Sequence, residues 1–175
     1  MRLQMLVVMA MWFLSLAAQG ENLLENPGFE YEGSWTAQDS ASLRNTWRSH
    51  DGGQFNAGIL GLWATRGANG FVEQAGIPVL AGKRYLFQAW LWADLGWKPA
   101  EQYMSILFQD STGQVLKEEK IPLPSLHPVW TPVKCAAYAP MGAVTASVRI
   151  GARGVSFHGA LTIDDCSFAN EDIPE

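Results

Sequence analysis

An all-β sandwich is the fold this sequence predicts, and three observations predict it. Short runs rich in Val, Ile, Phe, Tyr and Trp recur along the chain. Gly, Pro, Asn and Asp punctuate them at roughly ten-residue intervals, the turn spacing of a sandwich or barrel. No window carries apolar residues at helical spacing over a useful length.

The chain opens with a segment that precedes the fold. Arg2 is followed by a mostly apolar run over 3–16 and then by Ala18-Gln19-Gly20. This is the pattern of a secretory signal peptide, with an apolar core too short to span a bilayer comfortably. Residues 1–20 are expected to be removed, leaving one domain at 21–169 and an acidic tail at 170–175. The other reading is an uncleaved anchor. A domain of this length buries about 70% of its unfolded surface, so it has a core without help from metal or disulfide. The expected location is secreted or periplasmic.

The first stretch, Asn22-Leu23-Leu24-Glu25-Asn26-Pro27-Gly28-Phe29-Glu30, reads as a strand with acidic side chains beside a turn. Ala160-Leu161-Thr162-Ile163-Asp164-Asp165-Cys166-Ser167-Phe168 reads the same way at the other end. The matching chemistry places first and last strands side by side. Between these ends, strands are expected over 58–65, 71–79, 84–94, 102–109, 114–121, 129–138 and 144–151, before the last at 160–168. Asp110-Ser111-Thr112-Gly113 is a hairpin turn.

Alternation assigns the faces. In 84–94, Tyr85, Phe87, Ala89, Leu91 and Ala93 share the core side, while Gln88, Trp90, Trp92 and Asp94 share the other. In 144–151, Val144, Ala146, Val148 and Ile150 point in, and Thr145, Ser147 and Arg149 point out.

Charge and motifs exclude several functions. The net charge of −5 becomes −6 once the leader takes Arg2 away, and no basic run exists. Nucleic acid is a poor partner, and so is a membrane after leader cleavage. His50, His127 and His158 are scattered, and no nucleophile, zinc or phosphate-loop motif occurs. Glu73 and Asp94 offer a carboxylate pair of the glycosidase kind, but exposed acids are common and a solvated role is the better reading. The chain is not expected to be an enzyme.

Cys135 and Cys166 are the two cysteines. An exporting compartment favours a disulfide, which would stabilise the fold by about 3–4 kcal/mol. Two separate buried thiols are the alternative.

Seven of the eight tryptophans follow the leader. Trp35 and Trp130 are expected to seal the core or cap strands. Trp92 lies on the non-core face with Gln88 and Trp90, Trp97 sits in the Leu95-Gly96-Trp97-Lys98-Pro99 loop, and Trp47 lies in another loop. Flat aromatics cover the C–H faces of a sugar while amides and carboxylates hold its hydroxyls, so these five are the binding candidates. Sandwich packing is the alternative for each.

At this point the chain resembles the CenC-type carbohydrate-binding modules, which have the galactose-binding-domain-like jelly-roll fold. The residues that carry the resemblance are the 22–30 stretch, Trp35, Ala81-Gly82-Lys83-Arg84-Tyr85-Leu86-Phe87-Gln88-Ala89-Trp90, Asp110-Ser111-Thr112-Gly113, Trp130 and Ile163-Asp164-Asp165, in that order. Cys166 stands where the family usually has Val. The resemblance implies a structural calcium ion held by the Gly28 carbonyl and the Glu30 and Asp164 carboxylates; Asp51 and Asn56, in a Gly-rich segment, are candidate extra donors. A hydrogen-bonding role without metal is the alternative for Glu30 and Asp164. The resemblance also implies a secreted, non-catalytic module that binds a polysaccharide or oligosaccharide. An extracellular interaction domain with the same fold and no sugar site is the alternative.

Overall fold

The structure is a computed structural model that describes residues 20–31, 33–39, 41–46, 57–62, 68–155 and 159–171. Trp47, Asp51, Asn56, His50 and His158 lie outside these residues, as does the leader up to residue 19. Among the described residues there are ten strands and no helix. They are β1 (Thr36–Asp39), β2 (Ala41–Thr46), β3 (Ala57–Leu62), β4 (Ala68–Pro78), β5 (Arg84–Ala93), β6 (Glu101–Gln109), β7 (Val115–Pro122), β8 (Thr131–Tyr138), β9 (Thr145–Val155) and β10 (Ala160–Asn170).

Two five-stranded antiparallel sheets face each other. The first has the order β1-β4-β9-β6-β7 and the second β2-β3-β10-β5-β8. This is the β-sandwich that the spacing of strands and turns predicts, in the jelly-roll form that the resemblance implies. The chain changes sheets between β1 and β2, where Asp39 takes a left-handed φ of 60°. These two short strands have no apolar alternation, so pattern alone misses them.

The strand patterns set the core. β5 alternates strictly, with Tyr85, Phe87, Ala89, Leu91 and Ala93 buried and their neighbours partly exposed. Phe108 and Ile150 come in from the first sheet, and Phe87, Leu161 and Phe168 from the second. Tyr85 stacks on Phe168 at 5.2 Å, and its hydroxyl accepts the Leu80 amide at 2.8 Å. Val144 departs from expectation. It is exposed, and Ala143 is buried in its place, because the strand proper starts at Thr145.

The two chain ends do meet, although residues 22–30 form bends and a turn rather than the expected strand. The Leu23 amide donates to the Phe168 carbonyl at 2.8 Å. The Asn22 side chain accepts from the Phe168 amide and donates to the Cys166 carbonyl. β10 runs to Asn170, and the Glu171 amide donates to the Arg84 carbonyl, so the sheet reaches slightly into the stretch assigned to the tail.

The expected disulfide does not form. Cys135 and Cys166 are both buried and free. β5 explains it: β8 pairs on one side of β5 and β10 on the other, with Cys135 in register with Phe87. Two strand spacings put the backbones of the two cysteines roughly 9–10 Å apart, beyond the reach of a disulfide at about 7 Å between α-carbons. Burial, reinforced by Glu119, pushes the Cys135 thiol up to about 11, and burial, with Asp164 and Asp165 nearby, raises the Cys166 thiol well above its usual value.

Candidate functional site

The outer face of the second sheet holds part of the expected set. Trp92, Trp90 and Gln88 stand on one side of β5, opposite Thr162, Asp164 and Ser167 of β10. All three are partly exposed. Trp97 does not join them. It is 5% exposed in the core cluster, and its indole N–H donates to Gln102 at 2.8 Å. Trp35 seals the core as expected: it packs on Phe29 at 5.0 Å and donates to the Asn26 carbonyl. Trp130 is partly exposed just before β8.

The outer face of the first sheet carries a second constellation, which tryptophan counting passes over. Gln38, Phe71, Gly151 and Tyr103 form one row across β1, β4, β9 and β6. Thr36, Glu73, Arg149, Ser105 and Lys120 form the adjacent row, which extends onto β7. Gly151 lets the aromatics close in. A Cβ there would lie 2.7 Å from the Phe71 Cβ, 2.8 Å from the Gly70 carbonyl oxygen and 2.9 Å from the Tyr103 ring.

Cations hold both rings in place. The Arg149 guanidinium lies 4.6 Å from the centre of the Phe71 ring and binds Glu73 at 3.0 Å. The Lys120 ammonium lies 3.9 Å from the centre of the Tyr103 ring and pairs with Glu101. Such contacts fix ring orientation at small cost, because the charge stays near water. Burial raises the Tyr103 hydroxyl above its usual value, so it remains a donor. Ser105, between Arg149 and Lys120, has a buried hydroxyl with no hydrogen-bond partner among the described residues. A cavity of about 170 Å³ opens over this face, bordered by Asp39, Asn69, Phe71, Tyr103, Arg149 and Lys120.

The face therefore offers an aromatic row, a charged row beside it and a shallow hollow. That arrangement presents C–H-compatible surface next to many donors and acceptors. Alternation in β9 had put Arg149 on the outer side. The signal that finds the rest is the glycine at 151, flanked by aromatics in both neighbouring strands.

The acidic residues expected to bind calcium also come together. A Cβ on Gly28 would lie 3.1 Å from Glu30 Oε1 and 3.9 Å from Asp164 Oδ1. The loop is shaped by Asn26, whose side chain accepts from the Glu30 amide and donates to the Tyr31 carbonyl. Asn26, Phe29 and Asp165 all adopt left-handed φ values there. Asp164 is 3% exposed and accepts the Asp165 amide at 2.8 Å. Two carboxylates and backbone oxygens suit a hard cation, which takes six to eight oxygens. Among the described residues no group of three or more acidic, His or Cys side chains converges.

Glu73 and Asp94 do not form a catalytic pair. Glu73 faces outward from the first sheet and is held by Arg149, while Asp94 follows β5 at one end of the second.

The sequence matches no protein-family model and no curated protein. Solved structures share the fold. The xylan-binding CBM22-1 domain of Paenibacillus barcinonensis Xyn10C is 13% identical with a TM-score of 0.63, covering 89% of this chain and 98% of that one. The C-terminal family 22 carbohydrate-binding module of Clostridium thermocellum Xyn10B, studied for the role of conserved cleft residues in ligand binding, is 16% identical. Its TM-score is 0.55, over 86% of this chain and 98% of that one. The enzymatically active domain of bacteriophage CBA120 tailspike protein 4 is 17% identical with a TM-score of 0.70 over 85% of this chain. The chain spans 21% of that tailspike. Structural neighbours that match nearly end to end are thus carbohydrate-binding β-sandwich modules.

Proposed function

We propose that this chain is a secreted, non-catalytic glycan-binding module that lays a polysaccharide segment across the outer face of its first sheet. One observation carries the reading: the in-register row of Phe71, Gly151 and Tyr103, with Arg149 and Lys120 beside it over a hollow. The glycine lowers the floor, the ring edges bound it, and the charged row supplies hydrogen bonds to hydroxyls. Structural neighbours that bind xylan, or bind ligand in a cleft, support the same reading.

Binding without a deep pocket gives modest affinity, with dissociation constants on the order of micromolar to millimolar. Pull-down of residues 21–175 with a panel of insoluble polysaccharides, and affinity electrophoresis with soluble ones, tests this. Retention by at least one β-linked glycan is expected. No retention by any of them would leave an interaction domain that keeps the fold and has no sugar site.

A second reading keeps the function and moves the site to Trp92, Trp90 and Gln88. The observation favouring it is the pair of partly exposed indoles two residues apart on β5.

A calcium ion at the Gly28 carbonyl and the Glu30 and Asp164 carboxylates belongs to the same proposal. The cation would balance two acids brought together against the last strand. The N-terminal leader, with export and cleavage near Glu21, completes it.

A further inference from the structure

The geometry points to a second ligand site, at the loop end of the sandwich: a pocket for a single sugar ring or similar small polyol, anchored on Asp94. A cavity of about 670 Å³ lies between the loop after β5 and the connection after β7. Its size falls in the range of small-molecule sites, roughly 300–1,000 Å³, and well exceeds the hollow on the first sheet.

Asp94 carries the argument. Its Oδ2 accepts the Ala160 amide at 3.0 Å, and its own amide donates to the Ala160 carbonyl. Asp94 lines the cavity, and its Oδ1 is buried with no hydrogen-bond partner among the described residues. Buried acceptors are nearly always satisfied, and one that is not asks for a donor from outside the chain.

The walls are fixed before any ligand arrives. Gln102 accepts from the Trp97 indole and donates to the Pro124 carbonyl, strapping the two loops together. The Ala93 amide donates to the His127 carbonyl, and the Leu123 amide to the Gln102 carbonyl. Gly159 abuts the first loop, since a Cβ there would lie 2.6 Å from the Gly96 oxygen.

The lining selects the ligand class. Glu101, the other acid at the cavity, is taken by Lys120 and Arg153. Asp94 is left as the acceptor carboxylate beside Leu126, Pro122 and Pro128, with Lys98, Ser125 and His127 also on the lining. An apolar wall beside one strong acceptor fits a ring with a C–H face and a hydroxyl edge better than a bare cation. The site is separate from the first-sheet face, and each stands or falls alone.

Amide NMR of residues 21–175, titrated with glucose, xylose, galactose, mannose and arabinose, tests the inference. At least one sugar should shift the amides of Asp94, Leu95 and His127 while leaving Phe71 and Arg149 in place. Asp94→Asn keeps an oxygen for the Ala160 amide but puts an NH₂ where the acceptor was. It should weaken binding about tenfold or more, with the melting temperature unchanged. Ser125→Trp, at the exposed rim, should block the pocket without touching the Asp94–Ala160 pair. No shift with any sugar would overturn the site. Equal binding by wild type and Asp94→Asn would overturn the anchor. Binding of methylammonium and of no sugar would overturn the ligand class.

Discussion

Gly151 concentrates more consequence than any other single residue of the first sheet. Its missing Cβ is what lets Phe71 and Tyr103 approach across β9. Gly151→Ala would press against the Gly70 carbonyl, which is backbone and cannot swing away. Overpacking of this kind costs about 1–3 kcal/mol, and urea unfolding should show it as a lowered midpoint. A neutral substitution would mean the rings are looser than described. The cysteines give a second check at this scale. Unfolded, unreduced protein should titrate two thiols, and the folded protein should react slowly because burial keeps both protonated. Finding no thiol in the unfolded chain would restore the disulfide. Sequence reading went astray on these cysteines because composition and compartment favour pairing, while the intervening β5 is visible only in three dimensions. Trp97 is a similar case. Its loop folds back onto the core, and loop paths have no period to read.

Most elements were legible because alternation and turn chemistry agree. The β5 pattern predicted its buried face residue by residue. The turn between β6 and β7 was readable from Asp110 and Gly113. Asp110 accepts the Thr112 amide at 2.8 Å, the Thr112 hydroxyl at 2.7 Å and the Gln114 amide at 3.0 Å. Gly113 takes a φ of 84°. The Thr112 hydroxyl, then backbone amides of the turn, hold the Asp110 carboxyl below its usual value, and Lys120 does the same for Glu101. Lowered folded values mean that the unfolded chain binds more protons as the pH falls. This stability is present above the unfolded carboxyl pKa of about 4 and is lost as the pH drops through the folded values. Asp110→Asn should therefore flatten the acid limb of the stability curve, measured by urea unfolding between about pH 5 and pH 2. An unchanged limb would remove the turn from the account. β1 and β2 were not legible, since short polar strands carry no pattern and only pairing with β4 and β3 makes them strands.

For the whole molecule, the meeting of chain ends was readable from their matching acidic stretches, and the calcium proposal follows from it. Calcium would bind only the folded form, so it should raise the melting temperature and chelator should lower it. Asp164→Ala should abolish that difference. No chelator effect on wild type would leave Glu30 and Asp164 as hydrogen-bonding residues. The proposed binding face was harder to read than the fold. Counting tryptophans favours β5, whereas the row on the first sheet uses one Phe, one Tyr and a glycine from three strands far apart in sequence. The most direct test of the central claim is calorimetric titration of the retained polysaccharide's oligosaccharide into Phe71→Ala and Trp92→Ala, each checked for an intact fold. A site on the first sheet predicts that Phe71→Ala weakens binding about tenfold or more and that Trp92→Ala leaves it unchanged. Loss of binding in Trp92→Ala, with Phe71→Ala binding like wild type, would contradict it and move the site to the second sheet.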